Sequence, residues 1–388
     1  MSEIVNIRNP YEELGTIEYN PDATVSGDDC IAHKSENHNH IRSDLAEPTP
    51  QYVADAYAGQ GPDNDGNVLP DKHRYTVFGV IHHHKLWPWT EWSSLDDDYE
   101  DRDPEQMDIV NYPGLEYRTS EHVSGLFINT DDDPDTLREA VEQVRDETES
   151  HVPEEGVAFA YLAHPESYYE DPRLEWRRYR DLFEEFSDEE FVGLEIFGRR
   201  SAPLDQTVDV RLWDRFLTWF APERLPVAFG VDDYGGSNFI IGNEFDRRYI
   251  RVFLRDDEFD PSDQEGSRKA ARDAMVDGRS SITRLSAWDP ETDDRPTEPK
   301  FTAIDVDQSA HTITLTTEDA ETIEWVSKGE VVETGESIDL STDHYPYVRA
   351  RLESNPDGET YTQAFGIEVD ADVEIQDAEL NDASFGQQ

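Results

Sequence analysis

The sequence predicts an α/β fold through its first three quarters, either an α/β barrel or a doubly wound sheet, followed by a small antiparallel β-sandwich. Three observations carry that expectation. Short apolar runs alternate with amphipathic stretches as far as Ser286, the order that builds a largely parallel sheet with crossover helices. Polar and metal-type side chains gather at the carboxyl ends of the apolar runs, where ligands bind in such folds. Beyond Ser286 the pattern turns to short alternating segments separated by turn residues.

The run from Tyr75 to Ile81 is rich in β-formers and ends in His82-His83-His84. Val157 to Ala163 ends in His164-Pro165, Phe191 to Phe197 ends near Gly198, and Val227 to Val231 ends in Asp232-Asp233. Runs this continuous suit strands buried on both faces. Between them, Thr49-Pro50 can cap and start a helix with Val53, Ala56 and Tyr57 on one face. Asp133-Pro134 leads into Leu137, Ala140, Val141 and Val144, the i, i+3, i+4, i+7 spacing of an amphipathic helix, and Arg211 to Phe220 and Ser267 to Met275 repeat it.

The polar stretch Asp289 to Pro296 carries two prolines and reads as a linker. Residues 289–299 thus separate a first domain, residues 1–288, from a second, residues 300–370. In the second, His311 to Thr316, Thr322 to Val326, Glu330 to Thr334, Ser337 to Leu340, Tyr347 to Leu352 and Thr360 to Val369 are the expected strands. Gly329, Gly335 and Asn355-Pro356-Asp357-Gly358 mark turns, and Trp325 is the expected core residue of an immunoglobulin-like sandwich. Residues 371–388 form an acidic tail.

Composition sets the environment. The chain has 89 Asp and Glu against 33 Lys and Arg, a formal charge of -56 and a sequence pI near 4.2. Molar salt shortens the Debye length to about 3 Å and relieves such self-repulsion, so the surface reads as a halophile adaptation. The basic minority is nearly all Arg. An acidic disordered chain is the bland alternative, and 8 Trp, 17 Tyr and 17 Phe spread along the length argue against it. One cysteine, Cys30, leaves no internal disulfide framework and fits a reducing cytoplasm. Met1 to Tyr19 has no basic start followed by an apolar stretch, and no segment approaches about 18 consecutive apolar residues, so a cytoplasmic chain without a membrane span is expected. The lack of a basic stripe argues against tight duplex nucleic-acid binding, and oligomeric state is not legible.

His38 and His40, two apart on an extended segment, point to one side and can reach one ion or two adjacent ones. Asp44, His83, Glu116, His122, His164 and Asp232-Asp233 continue the series. Each has a bland alternative. An isolated His-x-His is more often structural or solvated, the triple-His run can be a polar strand end, His164 a satisfied core histidine, and Asp232-Asp233 a turn or helix cap. Nitrogen ligands with carboxylates suit zinc, manganese or iron better than calcium, and Glu116 is the candidate bridge between ions.

In these elements the chain resembles the PHP family, the polymerase-and-histidinol-phosphatase metal-dependent phosphoesterases. The carriers are His38-Asn39-His40 with Ser43-Asp44, Thr49-Pro50, Val80-Ile81-His82-His83, Gly114-Leu115-Glu116 and His122 to Phe127. They continue with Ala163-His164-Pro165, Gly193 to Phe197, Gly230 to Asp233, and Arg272 to Arg279. The resemblance covers about Asn9 to Thr283. It implies a distorted seven-stranded β/α barrel with two or three divalent metal ions (manganese, zinc or iron) held by His38, His40, Asp44, His83, Glu116, His122, His164 and Asp232. Asp233 competes with Asp232 for the last place, with Glu116 and Asp232 central to catalysis. The implied substrate is a small phosphomonoester, cyclic phosphate or nucleotide end, hydrolysed by hydroxide drawn from metal-activated water. Arg199 and Arg200 are candidates for the substrate phosphate, against the plainer reading of a surface ion pair. Two departures matter. The family has Asp-x-His where this chain has Tyr234 or Gly235 in the last place, and commonly Thr-Asp where this chain has Ile81-His82. They keep a second function open, a degenerate barrel that binds metal or ligand without turnover, with the β-sandwich as an interaction module.

Overall fold

A computed structural model describes residues 4–39, 54, 57–58, 74–79, 81–83, 103–119, 121–128, 134–146, 158–165, 172–197, 208–233, 246–286, 295–341, 345–354 and 358–370, with the backbone alone at 82–83, 172–175, 177–178 and 208. The chain opens with β1 (Ile4–Arg8), β2 (Ile17–Glu18) and β3 (Cys30–Glu36). Next come β4 (Val77–Phe78), β5 (Ile81–His83), α1 (Pro104–Met107), β6 (Val110–Asn111), β7 (Gly114–Arg118) and β8 (His122–Leu126). Then follow α2 (Leu137–Arg145), β9 (Phe159–Ala163), α3 (Pro172–Glu185), β10 (Phe191–Phe197), α4 (Val208–Phe220) and β11 (Val227–Gly230). β12 (Arg248–Arg255), α5 (Gln264–Val276) and β13 (Ser280–Leu285) precede the C-terminal strands. These are β14 (Lys300–Asp307), β15 (Thr312–Glu318), β16 (Thr322–Ser327), β17 (Glu330–Thr334), β18 (Ser337–Asp339), β19 (Tyr347–Ser354), β20 (Gly358–Thr362) and β21 (Phe365–Val369).

Local chemistry explains the best-formed pieces. Thr136 accepts from the Glu139 amide while the Glu139 carboxylate accepts from the Thr136 amide, a capping box that starts α2 and leaves Leu137, Ala140, Val141 and Val144 buried along one stripe. β9, β10 and β11 are buried at every position, as their largely apolar sequences require, and they lie parallel. Gly193 lets β10 and β11 meet, because a Cβ there would overlap the carbonyl of Val227.

The strands form a six-stranded sheet ordered β11-β10-β9-β8-β7-β5, a 12-stranded mixed sheet, and a three-stranded sheet ordered β14-β15-β18. The main path of the large sheet runs β1-β21-β19-β20-β13-β12-β3-β4-β6, with β2 on β3 and β16-β17 on β19.

This corrects the expected fold class. The molecule is mostly β, its sheets are mixed, and no sheet among the described residues closes into a distorted seven-stranded β/α barrel. The physical reasons are visible in the ladders. β7, β8 and β9 are joined antiparallel, so no crossover helix is needed between β7 and β8. β11 lies against β12 and β13 without pairing to them: a Cβ on Gly230 would stand 2.7 Å from Ile282 and 3.1 Å from the Tyr249 carbonyl. The outer edge of β13 is instead taken by β20, with Thr283 opposite Thr360.

The expected appended sandwich changes in the same way. Its strands exist, and Trp325 is fully buried with its indole N–H donating to the Gly335 carbonyl at 3.0 Å. β19, β20 and β21 nevertheless belong to the large sheet, where β21 pairs with β1 at the start of the chain. Ile4, Ile7 and Tyr11 therefore share one core with Phe301, Trp325 and Phe365. A second core joins α2, α4 and the six-stranded sheet to Ile250, Val252 and Ile282 of β12 and β13. Buried ion pairs pin the seams. Arg349 of β19 grips Asp214 of α4 at 2.8 and 2.7 Å, and Arg251 of β12 grips Glu298 through two contacts of 2.6 Å.

Candidate metal centre

The carboxyl ends of the parallel strands converge on one cluster. β3 runs into Asn37-His38-Asn39, whose backbone is fastened on both sides: the Tyr161 hydroxyl donates to the Asn37 carbonyl at 2.7 Å, and the Asn39 side chain donates to the Gly79 carbonyl at 2.6 Å. That fixes His38 pointing inward. Glu116 sits mid-strand in β7 opposite Ser124 of β8, and Arg118 stands opposite His122, so Glu116 and His122 are diagonal neighbours on the paired strands. His122 in turn pairs with Ala163 at the end of β9, which brings it beside His164. Glu195 of β10 follows Leu194, the partner of Leu162, and so lies level with the end of β9. Asp233 follows β11. Both His164 and Asp233 have positive φ (26° and 44°), a backbone strain of the kind that concentrates at functional sites.

Glu116 is the hub. Its Oε1 lies 2.5 Å from His122 Nδ1 and 2.8 Å from His164 Nε2, and its Oε2 lies 3.3 Å from His38 Nε2. Glu195 braces the group from behind, with Oε1 2.6 Å from His38 Nδ1 and Oε2 accepting from the His164 amide at 2.7 Å. Asp233 Oδ1 stands 3.7 Å from His38 Nε2. His38, Glu116 and His164 are buried and offer ligand atoms that all lie within 4.8 Å of one another, so this group could hold a metal ion.

Charge dominates the site. Burial opposes protonation of His38, but Glu195, Glu116 and Asp233 outweigh it and raise its pKa well above the usual histidine value. Burial is likewise outweighed at His164, chiefly by the hydrogen bond to Glu116, so that its pKa also rises. At His122 burial wins over Glu116 and the pKa falls.

The two adjacent aspartates part company. The Asp232 carboxylate accepts the backbone amides of Asp246, Arg247 and Arg248 at 2.7, 3.2 and 3.0 Å, and burial pushes its pKa up to about 6. It clamps the start of β12, while its own amide approaches Glu36 at 3.3 Å. Of the two registers left open by the sequence, the geometry turns Asp233 toward His38 and Asp232 toward the backbone. Behind them Lys34 pairs with Asp246 beneath the rings of Tyr75 and Tyr249, 4.3 and 4.0 Å from their centroids.

The structure thus brings together His38, Glu116, His122, His164 and Asp233 from the sequence-derived set. His83 pairs through its backbone with Glu116 in the β5–β7 ladder, but its side chain lies outside the described residues. His40, Asp44, Arg199 and Arg200 also lie outside the described residues. Sequence reasoning passed over Glu195 and Glu36 as site residues. The signal for Glu195 was there: one carboxylate within the otherwise apolar Phe191–Phe197 run must find a buried partner. Glu36, at the end of the fully buried β3, gives no comparable cue, because it follows the polar residues Lys34 and Ser35.

No protein-family model, curated protein or solved structure matches the chain. Among the described residues no helix is long and apolar enough to cross a membrane.

Proposed function

We propose that this protein is a metal-dependent hydrolase of small phosphate esters, with His38, Glu116 and His164 as its central ligands. One observation carries the reading: two imidazoles and a carboxylate from three separate strand regions converge, buried, with their ligand atoms within 4.8 Å of one another. The donor set fits a transition-type divalent cation such as manganese, zinc or iron, since nitrogen ligands disfavour calcium and magnesium. A bound cation there would supply Lewis-acid polarisation of a phosphoryl oxygen and activation of water. The chain's own groups do the rest. Glu195 accepts the Nδ1 proton of His38 and so presents Nε2 to the cluster, and its contact with the His164 amide sets that residue's backbone. Asp233 and His122 are the more solvent-exposed members of the cluster.

A second reading, binding of metal or ligand without turnover, draws support from Asp232, whose carboxylate is already committed to three backbone amides. Elemental analysis of protein dialysed against manganese, followed by assays on p-nitrophenyl phosphate and its diester, separates the two. Bound metal with manganese-dependent hydrolysis of either ester is expected. Metal-loaded protein inert on both leaves binding alone, and protein that retains no metal removes the hydrolase reading and leaves of the second only the binding of a non-metal ligand.

A further inference from the structure

Arg248 opens β12 directly after the loop that Asp232 clamps. It stands opposite Arg284 of β13, on the side from which Ile250 and Ile282 enter the core against the six-stranded sheet. Ile250 pairs with Ser35 of β3, so the same register sets Arg248 level with Asn37, the neighbour of His38. Arg284 lies over the ring of Phe197, 4.6 Å from its centroid, just beyond Glu195 on β10. Burial, with Arg247 and Arg284 nearby, lowers the Arg248 pKa to about 10, and Asp232 and Asp233 only partly offset it. The two arginines therefore sit where β10 and β11 end, beside the metal-ligand cluster.

Their partners differ. Arg284 donates to Glu359 at 2.6 Å. Arg248 is only 5% exposed, yet among the described residues its Nε and Nη1 have no hydrogen-bond partner. A buried guanidinium with two nitrogens left without hydrogen bonds is costly, and like charges directly opposite on paired strands add to the cost. An oxyanion lodged between them would remove both penalties, and the planar fork of an arginine matches phosphate oxygens in pairs.

We propose that Arg248, flanked by Arg284, is the anion subsite of this centre and takes the phosphate group of the substrate. The placement depends on the reading of His38, Glu116 and His164 as the metal centre, but the subsite can be tested separately. Inorganic phosphate is titrated calorimetrically into the full-length protein, with and without bound manganese, at constant ionic strength. Wild type, R248K and R248Q are compared, with manganese content measured for each.

Wild type should bind phosphate, R248Q should lose about tenfold or more in affinity at unchanged manganese content, and R248K should fall between. Phosphate should raise the melting temperature of wild type and not of R248Q. Without phosphate R248Q should melt no lower than wild type, because glutamine removes a buried guanidinium whose Nε and Nη1 have no hydrogen-bond partner. Equal phosphate affinity in wild type and R248Q, or manganese-loaded wild type that ignores phosphate, would overturn the subsite. So would unfolding of R248Q, which would make Arg248 a structural partner. Phosphate binding that depends on Arg248 in protein unable to hold manganese would keep the subsite and defeat the metal centre instead.

Discussion

His38 Nδ1 and Glu195 Oε1 lie 2.6 Å apart in the cluster, both fully buried, so the ring is oriented by a carboxylate that solvent does not reach. A carboxylate in this position sets the tautomer of a ligating imidazole and increases its basicity. E195Q should therefore weaken manganese or zinc affinity by about 10- to 100-fold, the usual effect of losing such a partner, with little change in the circular dichroism spectrum. Competition with a chromophoric chelator measures it. Unchanged affinity would mean that Glu195 only satisfies the His164 amide.

Gly193 has no room for a side chain against Val227. G193A must push β10 from β11 and should cost about 1 to 3 kcal/mol or more, read as a lower midpoint in chemical unfolding. An unchanged midpoint would show that the two strands can separate without loss.

Arg251 and Glu298 form a buried pair with two contacts of 2.6 Å. Burial alone would raise the Glu298 pKa, but Arg251 outweighs it and lowers it from the ordinary 4.5 to about 2. A depressed acid pKa stabilises the fold above the unfolded value, and that contribution is lost as the pH falls from about 4.5 toward about 2. It should amount to roughly 3 kcal/mol near neutrality. R251A, which strands the carboxylate, should cost about 3 to 5 kcal/mol at neutral pH. Double-mutant comparison with E298Q across pH 2 to 7, about the range of the titration, checks both. A pH-independent gap between wild type and E298Q would contradict the pairing energy.

With a formal charge of -56, self-repulsion should govern stability in dilute buffer. The melting temperature should climb as potassium chloride rises from about 0.1 M to about 1 M, while the Debye length falls from about 10 Å to about 3 Å. A flat or falling curve would remove the halophile reading.

Much of the site was legible because its residues end apolar runs: His164 after Val157 to Ala163, and Asp232-Asp233 after Val227 to Val231. Strand parity cannot choose between Asp232 and Asp233, since the turn after β11 reverses the ordinary alternation through the positive φ of Asp233. The fold was less legible. Periodicity marks strands and helices but says little about which edges pair, and the pairing of β20 with β13 and of β21 with β1 joins segments distant in sequence. The turn signals of residues 300–370 looked self-contained, whereas Phe301, Trp325 and Phe365 need Ile4, Ile7 and Tyr11 to complete their core.

The most direct test is a crystal of the protein grown with manganese and examined by anomalous diffraction at the manganese edge. The metal-centre proposal requires an anomalous peak within coordination distance of His38 Nε2, a Glu116 carboxylate oxygen and a His164 ring nitrogen. These side chains gathered as described but without a peak, at saturating manganese, would contradict it.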